Sequence, residues 1–114
     1  MVMSKLGLDL RKKIKDMSVS HLPTATVLMI GLQIIDRLRD LHELGYVHKD
    51  LKLENICLGS TNMKSSACSQ IFLVDFGISE RYLDLMNVHL PDKTSNVFEG
   101  NLKFCSKNAH QFTL

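Results

Sequence analysis

The sequence predicts an α+β chain, mainly helical, with one small β-hairpin. Three observations carry that expectation. From Thr24 to Leu44 the apolar residues Val27, Ile30, Ile34, Leu38 and Leu41 recur in steps of three and four, the signature of one helical stripe. Two short apolar runs, Ile56-Cys57-Leu58 and Ile71-Phe72-Leu73-Val74, flank a polar connection from Gly59 to Gln70 and read as paired strands. The chain has 114 residues and is 45% hydrophobic, which gives room for one domain at most and enough apolar material for a core. A chain of this size buries about two thirds of its unfolded surface.

Taken in order, Met1-Val2-Met3 is a short apolar entry that reads as the end of a strand. Leu6-Gly7-Leu8-Asp9 breaks it, and Asp9 is placed to N-cap a short helix from about Leu10 to Met17. Leu10, Ile14 and Met17 would share its apolar face, with lysines opposite. Ser18 to Thr24 connects to the long helix, and Pro23 is tolerated in a first helical turn. Leu28 and Ile35 widen that helix's stripe, which is expected to be buried, and Gly45 closes the helix. At ~1.5 Å per residue the helix is a rod of roughly 30 Å. Tyr46 to Glu54 is expected as a loop. Ile78 to Glu99, with Pro91 and Thr94-Ser95-Asn96, is expected as an extended irregular segment, and stretches of that length are unusual unless functional. Gly100 to Leu114 suggests no clear element.

Composition narrows the function classes. A net charge of +2 gives no argument for nucleic acid, and the Lys5, Arg11, Lys12, Lys13 and Lys15 cluster is most simply a solvated helix face. No apolar run approaches the ~20 residues of a spanning helix, so no membrane role is expected. Cys57, Cys68 and Cys105 are odd in number and lack a C-x-x-C pair, which points away from a disulfide framework or a zinc site. A reducing compartment, cytoplasmic or nuclear, fits best.

The chemistry concentrates in His48-Lys49-Asp50-Leu51-Lys52-Leu53-Glu54-Asn55 and, twenty residues on, Asp75-Phe76-Gly77. The first stretch reads H-x-D-x-K-x-x-N and the second D-F-G. A carboxylate at Asp50 can orient a hydroxyl and accept its proton, and the Lys52 ammonium can offset charge on a moving phosphate. Asp75 and the Asn55 amide oxygen are suited to Mg²⁺ against a phosphate chain. His48 alone is more simply a packed scaffold residue than a chemical group.

Those motifs, in that order, resemble the catalytic loop and metal-binding segment of eukaryotic serine/threonine protein kinases. Within them the chain most resembles the casein kinase 1 group, including its vaccinia-related branch. Val2-Met3-Ser4-Lys5-Leu6-Gly7-Leu8-Asp9-Leu10 is similar to that group's hinge and the following helix start. His89-Leu90-Pro91 stands where the group carries H-I-P. Gly100-Asn101-Leu102-Lys103-Phe104-Cys105-Ser106-Lys107-Asn108-Ala109-His110 resembles its G-T-A-R-Y-A-S-I-N-T-H. The resemblance implies that residues 1–114 are a partial kinase domain, holding the hinge, first helices, catalytic loop, D-F-G and activation segment of a C-terminal lobe.

It also implies roles by position. Asp50 would be the catalytic base, Lys52 the loop lysine, and Asn55 and Asp75 the Mg²⁺ ligands. Met3 as gatekeeper, Ser4 to Leu6 as hinge, Cys57 as floor and Val74 would surround the adenine of ATP. Lys103, and Lys49 in place of the usual arginine, would meet an anionic substrate group. The implied substrates are Ser/Thr-bearing proteins, including acidic or pre-phosphorylated ones. Lys49 keeps a charge but loses the planar fork of arginine. Asn101 replaces a threonine, and Lys107 interrupts S-I-N.

All six glycines are isolated, so no G-x-G-x-x-G occurs, and no V-A-I-K-type lysine strand is present. The N-terminal lobe that cradles the phosphates is therefore expected to be missing, and the chain alone is expected not to turn over. A non-catalytic pseudokinase remnant acting as a protein-binding module is the alternative. A small-molecule phosphotransferase also shares H-x-D-x-x-x-x-N, but Lys52, the intact D-F-G and His89-Leu90-Pro91 argue against it.

Overall fold

The computed structural model describes residues 4–60, 70–91 and 98–107. Over these the chain is α+β, with two α-helices, a 3₁₀ turn and two small antiparallel sheets in place of the single hairpin expected. It divides into two compact units, residues 1–37 with 53–74, and residues 38–52 with 75–114. The expected Met1–Met3 strand end and the Thr94-Ser95-Asn96 stretch lie outside the described residues.

The first unit begins with segment 7–9 laid along a strand. The Gly7 N–H donates to Leu58 O at 2.8 Å and the Leu58 N–H to Leu8 O at 3.0 Å. Glycine is required there, because a Cβ at position 7 would stand 2.7 Å from the Gly59 carbonyl oxygen. Helix α1 (Leu10–Asp16) follows, as the cap predicted. Extended backbone at Asp9 lets its carboxylate accept the Lys12 N–H at 2.8 Å, satisfying a donor that the helix cannot. Ser18, at φ 51°, ends the helix with its N–H on Lys15 O. Of the expected apolar face, Leu10 is buried and Ile14 half-buried, but Met17 caps the C-terminus and is exposed.

A 3₁₀ turn (Leu53–Asn55) packs against α1, with Arg11 reaching Glu54. It leads into β2 (Ile56–Leu58), which pairs with β3 (Ile71–Leu73) in the register Ile56↔Leu73, Cys57↔Phe72 and Leu58↔Ile71. The predicted hairpin is present, with Val74 one residue beyond its strand. Ile56, Ile71 and Leu10 form the buried core. Helix α2 (Thr24–Glu43) contributes residues 24–37 to this unit, where the Gln33 carboxamide oxygen accepts the Ile71 N–H at 3.0 Å.

The expectation of a buried stripe on α2 needs correction. Ile30, Ile34, Leu38 and Leu41 are half-buried and Val27 is exposed, so no residue of the helix is fully buried. Leu28, Leu32 and Ile35 are more than 60% exposed. The helical period is right, but the described residues supply too few apolar neighbours to cover it.

The second unit starts at the end of α2. Gly45, at φ 81°, turns the chain and donates to His42 O at 2.9 Å. What was expected as loop from Tyr46 then opens with β1 (Tyr46–Val47), antiparallel to β4 (Glu80–Arg81) in the register Tyr46↔Arg81 and Val47↔Glu80. The stretch after Gly77 is also more ordered than its aperiodic sequence implies. The Tyr82 N–H donates to Gly45 O, the Leu90 N–H to Tyr82 O, and Leu83 bridges His89. Asp84 closes the turn between them by accepting the N–H groups of Met86 and Val88. The Tyr82 hydroxyl donates to His42 O at 2.9 Å, satisfying a carbonyl at the helix end.

Candidate active site

Of the expected site residues, the second unit holds Asp50, Lys52 and Asp75, with Lys49 and Lys103. The Lys52 ammonium donates to Asp50 Oδ2 at 2.5 Å, with the two side chains 26% and 13% exposed. An ammonium on a carboxylate beside open solvent can hold an anionic group near the same oxygen that accepts a proton. The loop is set from below by His48, which is buried and lies against Phe76 with ring centroids 5.0 Å apart. Its Nδ1 accepts the Asp50 N–H at 3.3 Å, and its carbonyl accepts the Ser79 hydroxyl. His48 thus ties the H-x-D turn to the residue after Asp75.

Lys49 and Asp75 both adopt left-handed backbone, at φ 66° and φ 64°. Such conformations are costly for residues other than glycine, and they gather at functional sites. At Asp75 the Oδ1 accepts the Gly77 N–H at 3.4 Å, so the short side chain stabilises its own turn. The Asp75 side chain is otherwise exposed to solvent.

The Lys49 ammonium closes on two carboxylates of its own chain, where the resemblance implies a substrate anion. It bonds Glu80 Oε2 at 2.9 Å and Glu99 Oε2 at 2.7 Å, with its side chain only 8% exposed. Burial pulls its pKa down, but the hydrogen bonds and charges of Glu99 and Glu80 outweigh that and hold it above its ordinary value. Lys103 is exposed on a turn whose backbone is fixed by Asn101 Oδ1 accepting the Lys103 N–H at 2.9 Å. In that bond Asn101 uses the side chain that stands in for the expected threonine.

The first unit holds the other set: Ser4, Leu6, Cys57, Val74 and Asn55. Met3 lies outside the described residues. Segment 7–9, β2 and β3 run side by side, which brings the chain just after Leu6 against the strand of Cys57. Asn55 is buried, and its carbonyl accepts the Val74 N–H at 3.0 Å, so the two ends of the hairpin meet. Cys57 is half-buried. Burial, and after it the Asp9 charge, push its thiol above the ordinary value of 9.0. Asn55 belongs to the first unit and its expected metal partner Asp75 to the second. Among the described residues no group of three or more His, Cys, Asp or Glu side chains is arranged to hold a metal.

Two residues of the loop's surroundings were not legible in the sequence. Glu80 and Glu99 lie 31 and 50 positions from the lysine they engage. A pair at that separation leaves no periodic trace.

No protein-family model matches the chain. Curated relatives do. The chain is 28% identical over 110 residues to a protein of Caenorhabditis elegans named as a serine/threonine-protein kinase, covering 96% of this chain and 32% of that one. A protein of Dictyostelium discoideum, also named as a serine/threonine-protein kinase, is 30% identical over 96% of this chain and 22% of its own. The nucleosomal histone kinase 1 of Drosophila melanogaster is 34% identical over 96% of this chain and 17% of its own. These three relatives are thus named as kinases, and the chain spans a third or less of their length.

Proposed function

We propose that the chain carries the catalytic-loop and metal-binding part of a casein kinase 1-like protein kinase domain, moving the terminal phosphoryl group of ATP to a serine or threonine hydroxyl. The observation that carries this reading is the Asp50–Lys52 pair, on a turn fixed by His48 and in the same unit as Asp75-Phe76-Gly77. Asp50 orients the incoming hydroxyl and accepts its proton as the new P–O bond forms and the bond from the terminal phosphorus to the bridging oxygen breaks, with ADP leaving. Lys52 holds negative charge on the phosphoryl group beside it. Asp75 and Asn55 offer a carboxylate and an amide oxygen, hard donors that fit Mg²⁺, a cation that keeps waters and phosphate oxygens as its remaining ligands. Bound Mg-ATP supplies the phosphoryl group and neutralises its charge. Ser4, Leu6, Cys57 and Val74, with Met3, are the proposed adenine side, and exposed Lys103 the contact for acidic or pre-phosphorylated protein substrates.

The test is phosphate transfer to casein by the native-length protein with Mg-ATP. Asp50→Asn is expected to lower kcat by at least ~10²-fold, the scale of a lost general base. Asp75→Asn should abolish transfer. Unchanged turnover in both variants would sink this reading. A second reading, a non-catalytic module that binds a partner protein, is favoured by the exposed apolar row Leu28, Leu32 and Ile35 on α2. It would be supported if the wild type transferred nothing while both variants kept partner binding.

A further inference from the structure

We propose that turn 84–88 is a docking knob for a second copy of this chain, with Leu85 and Met86 of each copy entering a cavity at the base of the other's loop 82–90. The proposal does not depend on the kinase reading. The knob comes first. Leu85 and Met86 are 88% and 85% exposed, the two most exposed large apolar side chains among the described residues. Turn tips ordinarily carry polar residues, and this one is built to hold its shape. Asp84 Oδ1 accepts the Met86 N–H at 2.7 Å and the Val88 N–H at 2.9 Å. The Asp84 N–H donates to Val88 O, the Asn87 N–H donates to Asp84 O, and Asn87 takes a left-handed φ of 59°. Below the turn, Leu83 lies against Gly45 and the Leu90 N–H closes on Tyr82 O. The two apolar side chains are thus presented on a backbone already ordered. Burying them costs little further entropy.

The cavity supplies the matching surface. It measures about 400 Å³, within the range of clefts that hold a ligand. The rings of His42, Tyr82 and His89 line it, with Val47, Leu90 and Pro91. A thioether is favoured against aromatic rings, and an unbranched side chain adapts to an irregular hollow, so Met86 suits this lining. Of the two charged residues in the wall, Glu80 is engaged by Lys49, while Arg81 is exposed. Asp84 stands at the base of the knob, and its second carboxylate oxygen can take a guanidinium, so the charges are complementary as well. Within one copy the knob stays in water and out of the cavity. Knob and cavity belong to one loop, so a twofold axis beside that loop makes both contacts at once, each copy giving a tip and receiving one. The contact is small, and the dimer is accordingly a weak one.

The experiment uses the native-length protein carrying Leu28→Gln and Leu32→Gln, which takes the apolar row of α2 out of play. Sedimentation velocity over a dilution series should show a monomer–dimer equilibrium. Adding Leu85→Ser and Met86→Ser should weaken it by on the order of tenfold or more, since both anchors of a small interface are lost. The dichroism spectrum should not change, because both side chains stand in water in the monomer. Cross-linking then tests the geometry directly. Met86→Cys and His42→Cys proteins, mixed under mild oxidation, should give a disulfide heterodimer joining those two positions by peptide mapping, and either protein alone should give far less. A monomer at every concentration would overturn the proposal and leave the cavity to a different occupant. So would a dimer indifferent to Leu85→Ser and Met86→Ser, or a mixture that cross-links no better than its components.

Discussion

Replacing Asp9 by alanine removes the N-cap of α1 and, with it, a charge beside Cys57. The helix has seven residues, well short of the ~12–15 an isolated helix needs, so it stands on its cap and on buried Leu10. Losing the 2.8 Å bond from the Lys12 N–H should cost about 1 kcal/mol, the usual scale for a carboxylate N-cap. The ion pair with the Lys12 ammonium at 3.3 Å adds about 0.3 kcal/mol, because that lysine is largely solvated. Asp9→Ala should therefore lose about 1.3 kcal/mol at neutral pH, and Asp9→Asn, which keeps an accepting oxygen, about 0.3 kcal/mol.

The pH dependence follows from the same bond. The backbone N–H of Lys12 holds the Asp9 carboxyl below its ordinary 3.8. A depressed carboxyl contributes stability that is complete above the unfolded value and lost as pH falls through the folded one. The gap between wild type and Asp9→Ala should close under those acid conditions. Urea unfolding followed by circular dichroism, at neutral and at acid pH, measures both effects. Equal losses in the two variants, or an Asp9→Ala loss under about 0.3 kcal/mol, would refute the assignment of Asp9 as the cap.

Three further outcomes are expected. Gly100→Ala meets both a φ of 111° and the Lys49 carbonyl, and should cost about 1–3 kcal/mol in urea unfolding followed by tyrosine fluorescence. Leu28→Gln with Leu32→Gln should reduce self-association in sedimentation while changing stability by no more than about 0.5 kcal/mol, since both side chains are already in water. A wild type that sediments as a monodisperse monomer would count against this. The Lys49 pKa is raised, so its contribution is complete below the ordinary 10.5 and is lost as pH rises through the higher folded value. Exchange protection of 46–52 should fall over that alkaline range in wild type and stay level in Lys49→Met.

What could be read from the sequence was whatever repeats or caps locally. The α2 period, the Asp9 cap, the Gly45 stop and the Ile56–Leu58/Ile71–Leu73 hairpin all depend on residues near one another, and all four are present. The β1–β4 pair escaped because two residues are too few to show alternation and their partners lie 35 and 33 positions away. Burial of α2 was misjudged for a different reason. A stripe states which face wants cover, and whether cover exists depends on the rest of the fold. The Asp50–Lys52 contact joins two residues of one short motif, while the clamp on Lys49 depends on where two remote glutamates arrive.

The division of the chain has a practical optical consequence. There is no tryptophan, and the two tyrosines, Tyr46 and Tyr82, both belong to the second unit. Intrinsic emission is therefore blind to the first unit. Tyr82 is the more informative reporter, since its ring centroid lies 6.2 Å from that of His42 and 5.6 Å from that of His89, and its hydroxyl is tied to the helix end. Much of the dichroism at helical wavelengths arises instead from α1 and the first two thirds of α2. The wild-type chain thus carries two spectroscopic channels, one confined to the second unit and one weighted to the first, without any label. Overlaying the two melting curves asks directly whether the units unfold as one cooperative body or in succession.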